Sequence, residues 1–182
     1  MAAAADGPNP QTYSLVRDAE QWWGHSSTGE AFERNDYESR YILPPLPGAV
    51  YGLDYYPPND GAVQGSRVHY SSISAAIRDY GATVDRIGPE SGSVLTLRVD
   101  GVASFFDERS LPVTAMWERY HAYLLNAEVT DMPAGWVLDM SRIAPAFGRN
   151  GGGINLRFLD DIGKDVSVTE LRDLGIVTHV GS

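Results

Sequence analysis

Three consecutive glycines, Gly151-Gly152-Gly153, stand between two stretches of strand character, Trp136 to Met140 and Ile154 to Leu159. A glycine run is the most flexible chain a protein can contain and the costliest to order, so neither helix nor regular strand is expected to continue through it. It marks a place where the backbone turns sharply or comes very close to something else. One reading is a ligand against the backbone, whose amides could contact phosphate or ribose oxygens. The other is an ordinary loop or bulge, the commoner use of glycine. The run lacks the G-x-G-x-x-G spacing and helix start of a dinucleotide-binding turn, and the lysine of a P-loop.

The rest of the chain is punctuated in the same way. With 182 residues, 19 of them Gly and 11 Pro, and 43% hydrophobic, it can bury one compact core but not two full domains. Apolar positions near helical spacing predict a short helix from Tyr13 to Trp23, and the Pro-rich stretch Tyr41 to Gly48 reads as an extended connector. Residues 1–52 are therefore taken as a lead-in and 53–182 as the domain proper. Tyr55 to Gly61 is turn chemistry. Helical spacing from Ile73 to Tyr80 ends at Gly81, and a strand follows from Thr83 to Ile87. Val94 to Val99, Asp100-Gly101 and Val102 to Phe106 read as a hairpin with a two-residue turn. Strands are expected from Tyr120 to Val129 and over the two stretches beside the glycines. Ser167 with Glu170 forms a capping box for a helix from Val168 to Leu174, closed by Gly175 before a strand from Ile176 to His179. The class is α+β, a single domain with a mixed, largely antiparallel sheet and a few short helices.

Charge and composition narrow the function. A formal net charge of -10 argues against nucleic acid, whose binding needs clustered Lys and Arg, and no apolar run reaches the roughly 18 to 20 residues of a membrane span. Zero cysteines exclude disulfides and thiolate chemistry. The start Met1-Ala2-Ala3-Ala4-Ala5-Asp6 carries no visible export address, so the chain reads as cytoplasmic or as a delivered effector. His25, His69 and His179 show no ligand spacing, so no metal site is expected. Arg86 and Arg109 sit near strand ends, where an arginine serves either as a phosphate clamp or in a surface ion pair. His121 lies mid-strand among aromatics, fit for a core or a catalytic histidine. Residue chemistry alone stops at an α+β domain.

The order of several short segments goes further. Tyr56 to Gly61, Gly65-Ser66-Arg67 and Asp85-Arg86-Ile87-Gly88 are followed by Phe106-Asp107-Glu108-Arg109-Ser110-Leu111-Pro112, which is similar to F-E-Q-R-A-L-P. Then come Tyr120-His121-Ala122-Tyr123, similar to Y-H-x-Y, and Phe147 to Asn155, similar to F-G-Q-P-G-G-G-x-Q. Together these resemble the tuberculosis necrotizing toxin family of NAD glycohydrolases, which includes fungal surface NADases, over about residues Tyr56 to Val177. The resemblance implies cleavage of the nicotinamide–ribose bond of NAD, with NAD as substrate and no cofactor. It implies that Arg86 holds phosphate or ribose oxygens, that His121 orients substrate, and that Asn155 occupies the place of the family's glutamine. Arg109, Arg149, Gly151, Gly152 and Gly153 are expected to contribute substrate binding. An inhibitor or immunity protein is the expected partner. Arg149-Asn150 and Asn155 depart from the family's Gln-Pro and Gln. Two alternatives stand beside NAD cleavage: a diverged member acting on another small molecule as a cyclase or rearrangement enzyme, and a binding module without catalysis.

Overall fold

The computed structural model describes residues 7–37, 57, 59–126 and 132–181. In chain order these form α1 (Pro10–Tyr13), α2 (Arg34–Tyr37), β1 (Val68–Tyr70), α3 (Ile73–Tyr80), β2 (Thr83–Ile87) and β3 (Leu95–Leu97). They continue through β4 (Tyr120–Leu125), β5 (Val137–Arg142), β6 (Ile154–Leu159), α4 (Val168–Asp173) and β7 (Val177–Gly181). The seven strands make one sheet in the order β1-β5-β6-β3-β2-β4-β7. Every pairing between them is antiparallel. The fold is α+β, with the helices subordinate to the sheet. No helix among the described residues is long and apolar enough to cross a membrane.

Local signals explain the elements that match expectation. Ser72 accepts a hydrogen bond from Ala75 N and starts α3, which Gly81 ends at a φ of 88°. Ser167 accepts from Glu170 N at 3.1 Å and starts α4. Both are side-chain oxygens satisfying amides that a helix leaves without a partner. β2 and β6 run over the expected residues, β5 lies one to two residues further along, and β7 spans Val177 to Gly181. β4 is followed to Leu125, and the remainder of its expected span to Val129 lies mostly outside the described residues, as does the connector Tyr41 to Gly48.

Two expectations are corrected. The helix from Tyr13 to Trp23 is instead a single turn, α1, and a 3-10 turn at Ala19–Gln21 capped by Asp18. Tertiary packing overrides the spacing: the Trp22 ring sits 6.1 Å from Trp117 and 4.6 Å from Trp23, which in turn lies 5.8 Å from Tyr37. The hairpin forms only at its turn. Asp100 and Gly101 adopt φ of 52° and 77°, as a two-residue turn demands, but a single bridge, Val99 with Val102, follows it. The chain then dives under the sheet, because Phe106 is fully buried and opens the 3-10 turn Phe106–Arg109.

Register sorts side chains onto two faces, since residues paired across strands point the same way and neighbours along a strand point oppositely. One face carries Val84, Leu95, Leu97, Tyr123, Leu138, Met140, Leu156 and Phe158, and α3 and α4 cover it through Ile73, Ala76, Val168 and Leu171. The other face has a small apolar patch of Ile87, Phe106, Met116, Tyr120 and Ala122, closed by Leu15, Val16 and Trp22 of the lead-in. Beyond that patch the second face is polar.

At the centre of the second face Asp85 and Arg109 form a buried pair, 0% and 2% exposed at their side chains. Arg109 Nη1 donates to Asp85 Oδ1 at 2.6 Å and Nη2 to Oδ2 at 2.8 Å, while Nε donates to Ser104 O at 3.0 Å. Tyr120 OH adds a third donor to Asp85 at 2.9 Å, and burial followed by the Asp85 charge pushes its pKa up to about 12. Arg109 is thus a core residue that clamps the 104–110 segment to β2, and its fork is filled by protein rather than facing a substrate. Removing one partner of such a pair strands the other charge in the core. Arg109→Ala is expected to lower unfolding free energy by about 3 kcal/mol or more, read as a reduced urea midpoint.

Candidate active site

The glycine run is the place where three backbones converge. Gly151 N donates to Asp107 O at 3.0 Å, Gly152 N to Ile143 O at 2.9 Å and Gly153 N to Glu108 O at 3.0 Å. Ile143 N closes the loop by donating to Gly153 O at 2.8 Å. A Cβ on Gly151, where φ is 71°, would lie 2.5 Å from Ile143 O. The demand for close approach inferred from the sequence is met, but by protein backbone. The amides of Gly151, Gly152 and Gly153 are spent on carbonyls, so the expected contact with substrate phosphate is not what they are arranged for.

Arg149 lies just ahead of the run and is also inward. Its Nη2 donates to Trp22 O at 2.6 Å, and its guanidinium carbon sits 4.7 Å from the centre of the Phe106 ring. Burial lowers its pKa to about 10. It ties the glycine loop to the lead-in, beside a cavity of about 180 Å³ that Arg17, Asp18 and Asp107 also line.

Arg86 and His121 are brought together. They are directly paired across β2 and β4, on the face that bears Val84 and Tyr123. Arg86 donates from Nε to Pro89 O at 2.8 Å and from Nη1 to Val94 O at 2.9 Å, so it braces the connection from β2 to β3. A Cβ on Gly92 would lie 1.8 Å from Arg86 Nη2, which is why that position has no side chain. His121 Nδ1 is 3.3 Å from His179 Nε2. Glu90 completes this cluster, held by Arg172 Nη1 at 2.8 and 2.9 Å. Burial, then Glu90, pushes the Tyr123 hydroxyl up. Burial lowers the His121 pKa; Glu90 opposes this, and His179, Arg119 and Arg86 reinforce it.

Asn155 lies on the opposite face. It pairs with Thr96 on β3 and Ser141 on β5, in the row that continues through Asp85, one residue level away from Arg86 and His121. The three residues expected to act together therefore share one region of the sheet but not one face. Asn155 lines a cavity of about 150 Å³ with Ser93, Val94, Ser141, Arg67 and Arg157, among others. Val94 links the two sides: it borders the Asn155 cleft, and its carbonyl is the one Arg86 holds.

The cleft is a charged bowl. Asp139, 1% exposed at its side chain, accepts from Arg67 Nη1 and from Arg157 Nε at 2.8 Å, and His69 Nε2 lies 3.1 Å from its other oxygen. Arg157 also reaches Asp60 at 3.2 Å and Asp165 at 3.3 Å. Burial alone would lower the Arg157 pKa, but the Asp139 bond and the Asp165, Asp139 and Asp60 charges outweigh it and raise it. Such a bowl can seat a ligand with both cationic and anionic parts, with rigid walls because each charge is anchored. Sequence reasoning passed over Asp139, Ser141, Thr96 and Arg157 as site residues. Strand alternation places Asn155 with Arg157, and Asp139 with Ser141, but which strands lie side by side is a tertiary fact.

Known proteins resemble this chain in sequence, and a solved structure shares its fold. A family model described as tuberculosis necrotizing toxin matches residues 79–180. Outer membrane channel protein CpnT of Mycobacterium tuberculosis and that of Mycobacterium bovis are each 31% identical over 169 residues, which is 93% of this chain but 19% of either relative. The chain thus spans about a fifth of the length of these curated relatives. The solved structure of tuberculosis necrotizing toxin in complex with its immunity factor superposes with a TM-score of 0.83 at 30% identity, covering 94% of this chain and 83% of that one.

The glycine geometry makes a graded forecast. Gly151→Ala drives a Cβ into carbonyl oxygen and is expected to lower the melting temperature more than Gly152→Ala, where φ is 102° but nothing lies within 4 Å. Equal effects would show that backbone strain alone sets both. The His121 shift predicts a pH effect. Because its folded pKa lies below the ordinary 6.5, the unfolded chain takes the proton first, so stability is fully present above 6.5 and is lost as pH falls through the folded value. Between pH 7 and pH 5 the wild-type urea midpoint should fall further than that of His121→Gln.

Proposed function

The chain belongs to the tuberculosis necrotizing toxin family, and from that premise we propose that it hydrolyses NAD to nicotinamide and ADP-ribose. The carrying observation is the position of Asn155. The resemblance of Phe147 to Asn155 to F-G-Q-P-G-G-G-x-Q implies that it takes the place of the family's glutamine, and it opens into the polar cleft rather than into the core. The bond between the ribose C1′ and the pyridinium nitrogen breaks with both electrons going to nitrogen. Nicotinamide leaves neutral, the water oxygen bonds to C1′, and the water's proton passes to solvent. Such a leaving group needs no strong acid, so the protein's tasks are to hold the dinucleotide, to favour the cationic centre and to place water.

In this reading the carboxylates of Asp60, Asp139 and Asp165 favour the positive ring and the oxocarbenium-like centre, while Arg67 and Arg157 attract the pyrophosphate. Asn155 hydrogen-bonds the substrate ribose. Arg86 acts through Val94, whose carbonyl it fixes at the cleft wall, and His121 stiffens the same region of the sheet from the other face. The catalytic unit is residues 53–182, with the lead-in as a brace. The partner is an immunity protein that blocks the cleft, by analogy with the solved toxin relative, which is complexed with an immunity factor of its own.

Nicotinamide release by the purified chain tests the reading. Wild type is expected to release nicotinamide, and Asn155→Ala to reduce kcat by about a hundredfold. Asn155→Gln should restore or exceed the wild-type rate. A wild-type trace no higher than that of Asn155→Ala sinks NAD hydrolysis and leaves the fold turned to another small molecule.

A further inference from the structure

Asn155 can recognise only what its amide presents, and its neighbour on β3 decides which end that is. Asp85, Thr96 and Asn155 form a row across β2, β3 and β6 with their side chains on one face. Thr96 is almost wholly buried. Asp85, at the other end of the row, is held by two Arg109 nitrogens and by Tyr120 OH. The Thr96 hydroxyl donates to Asn155 Oδ1 at 3.0 Å. With the Asn155 carbonyl engaged, its NH2 is the end left for the cleft.

Electrostatics points the same way. Three aspartates and two arginines line the cleft, so the partial positive end of an amide dipole is favoured toward it. In the flipped arrangement the NH2 would face Thr96 and the carbonyl would face a surplus of negative charge.

We propose that Thr96 is a positioning residue that fixes the polarity of Asn155, so that the substrate group bound there is a hydrogen-bond acceptor such as a ribose hydroxyl oxygen. The proposal rests on the NAD-cleaving reading for its kinetic consequence but not for its structural one.

Two readouts test it on the full chain. In 15N-labelled protein the side-chain NH2 signals of Asn155, identified by their loss in Asn155→Ala, should move and broaden in Thr96→Val and stay in place in Thr96→Ser. For nicotinamide release, Thr96→Val should lower kcat by about tenfold, the worth of one hydrogen bond, with KM changed by less than about twofold. Thr96→Ser should recover the rate to within about threefold of wild type. Asn155→Asp, which keeps the acceptor for Thr96 but has no NH2, should be as poor as Asn155→Ala. The proposal is overturned if Thr96→Val leaves the NH2 signals unmoved, if Thr96→Ser behaves like Thr96→Val, or if Asn155→Asp keeps wild-type activity. If wild type releases no nicotinamide, the functional reading fails by itself and the NH2 signals still decide the role of Thr96.

Discussion

The ion pair between Asp85 and Arg109 is the joint on which the polar face is hung. It fixes the 104–110 segment beneath β2, and that segment offers the carbonyls of Asp107 and Glu108 to Gly151 and Gly153. The glycine run, so anchored, delivers the chain into β6 at a set register, and β6 carries Asn155 into the cleft. A charge pair in the core is a poor source of net stability, because desolvation offsets most of the attraction. Its value here is geometric: two forked groups of fixed shape meet in one way only, and every later element inherits that precision.

How far the sequence foretold this depended on whether each signal was local. α3 and α4 could be read from Ser72, Gly81, Ser167 and Glu170, because a cap and its helix lie within a few residues of each other. The turn at Asp100-Gly101 was legible for the same reason, yet the strand expected after it was not formed, since the burial of Phe106 and the pairing of Arg109 with Asp85 are distant effects. The lead-in failed similarly: helical spacing from Leu15 to Trp23 was real, but the tryptophans found better partners in Trp117 and Tyr37. For the site, residue chemistry flagged unusual positions and family resemblance supplied Asn155. Neither could show that Asn155 and Arg86 lie on opposite faces, nor that the glycine amides are consumed by carbonyls, because both depend on strand order and register.

The acidic balance of the chain also takes on a local meaning. A net charge of -10 argued against nucleic acid and left a small anion open, and the cleft holds two arginines whose charges are kept in place by carboxylates on several sides. Anchored in this way, the arginines cannot swing to follow a ligand, so recognition relies on a ligand that fits the existing field. That suits a reaction in which charge at one carbon changes and little else must move.

The bond from Arg149 to the carbonyl of Trp22 joins residues 127 positions apart, and the lead-in meets the glycine loop again where His25 N donates to Gly148 O. Contacts of such long sequence separation are the slow ones to form, because the loop entropy is lost before the contact is gained. The loop that sets the start of β6 is therefore held by a contact whose closure costs more chain entropy than a local turn. The entry to β6 thus leans on a contact that two distant stretches of the chain make only once they have met.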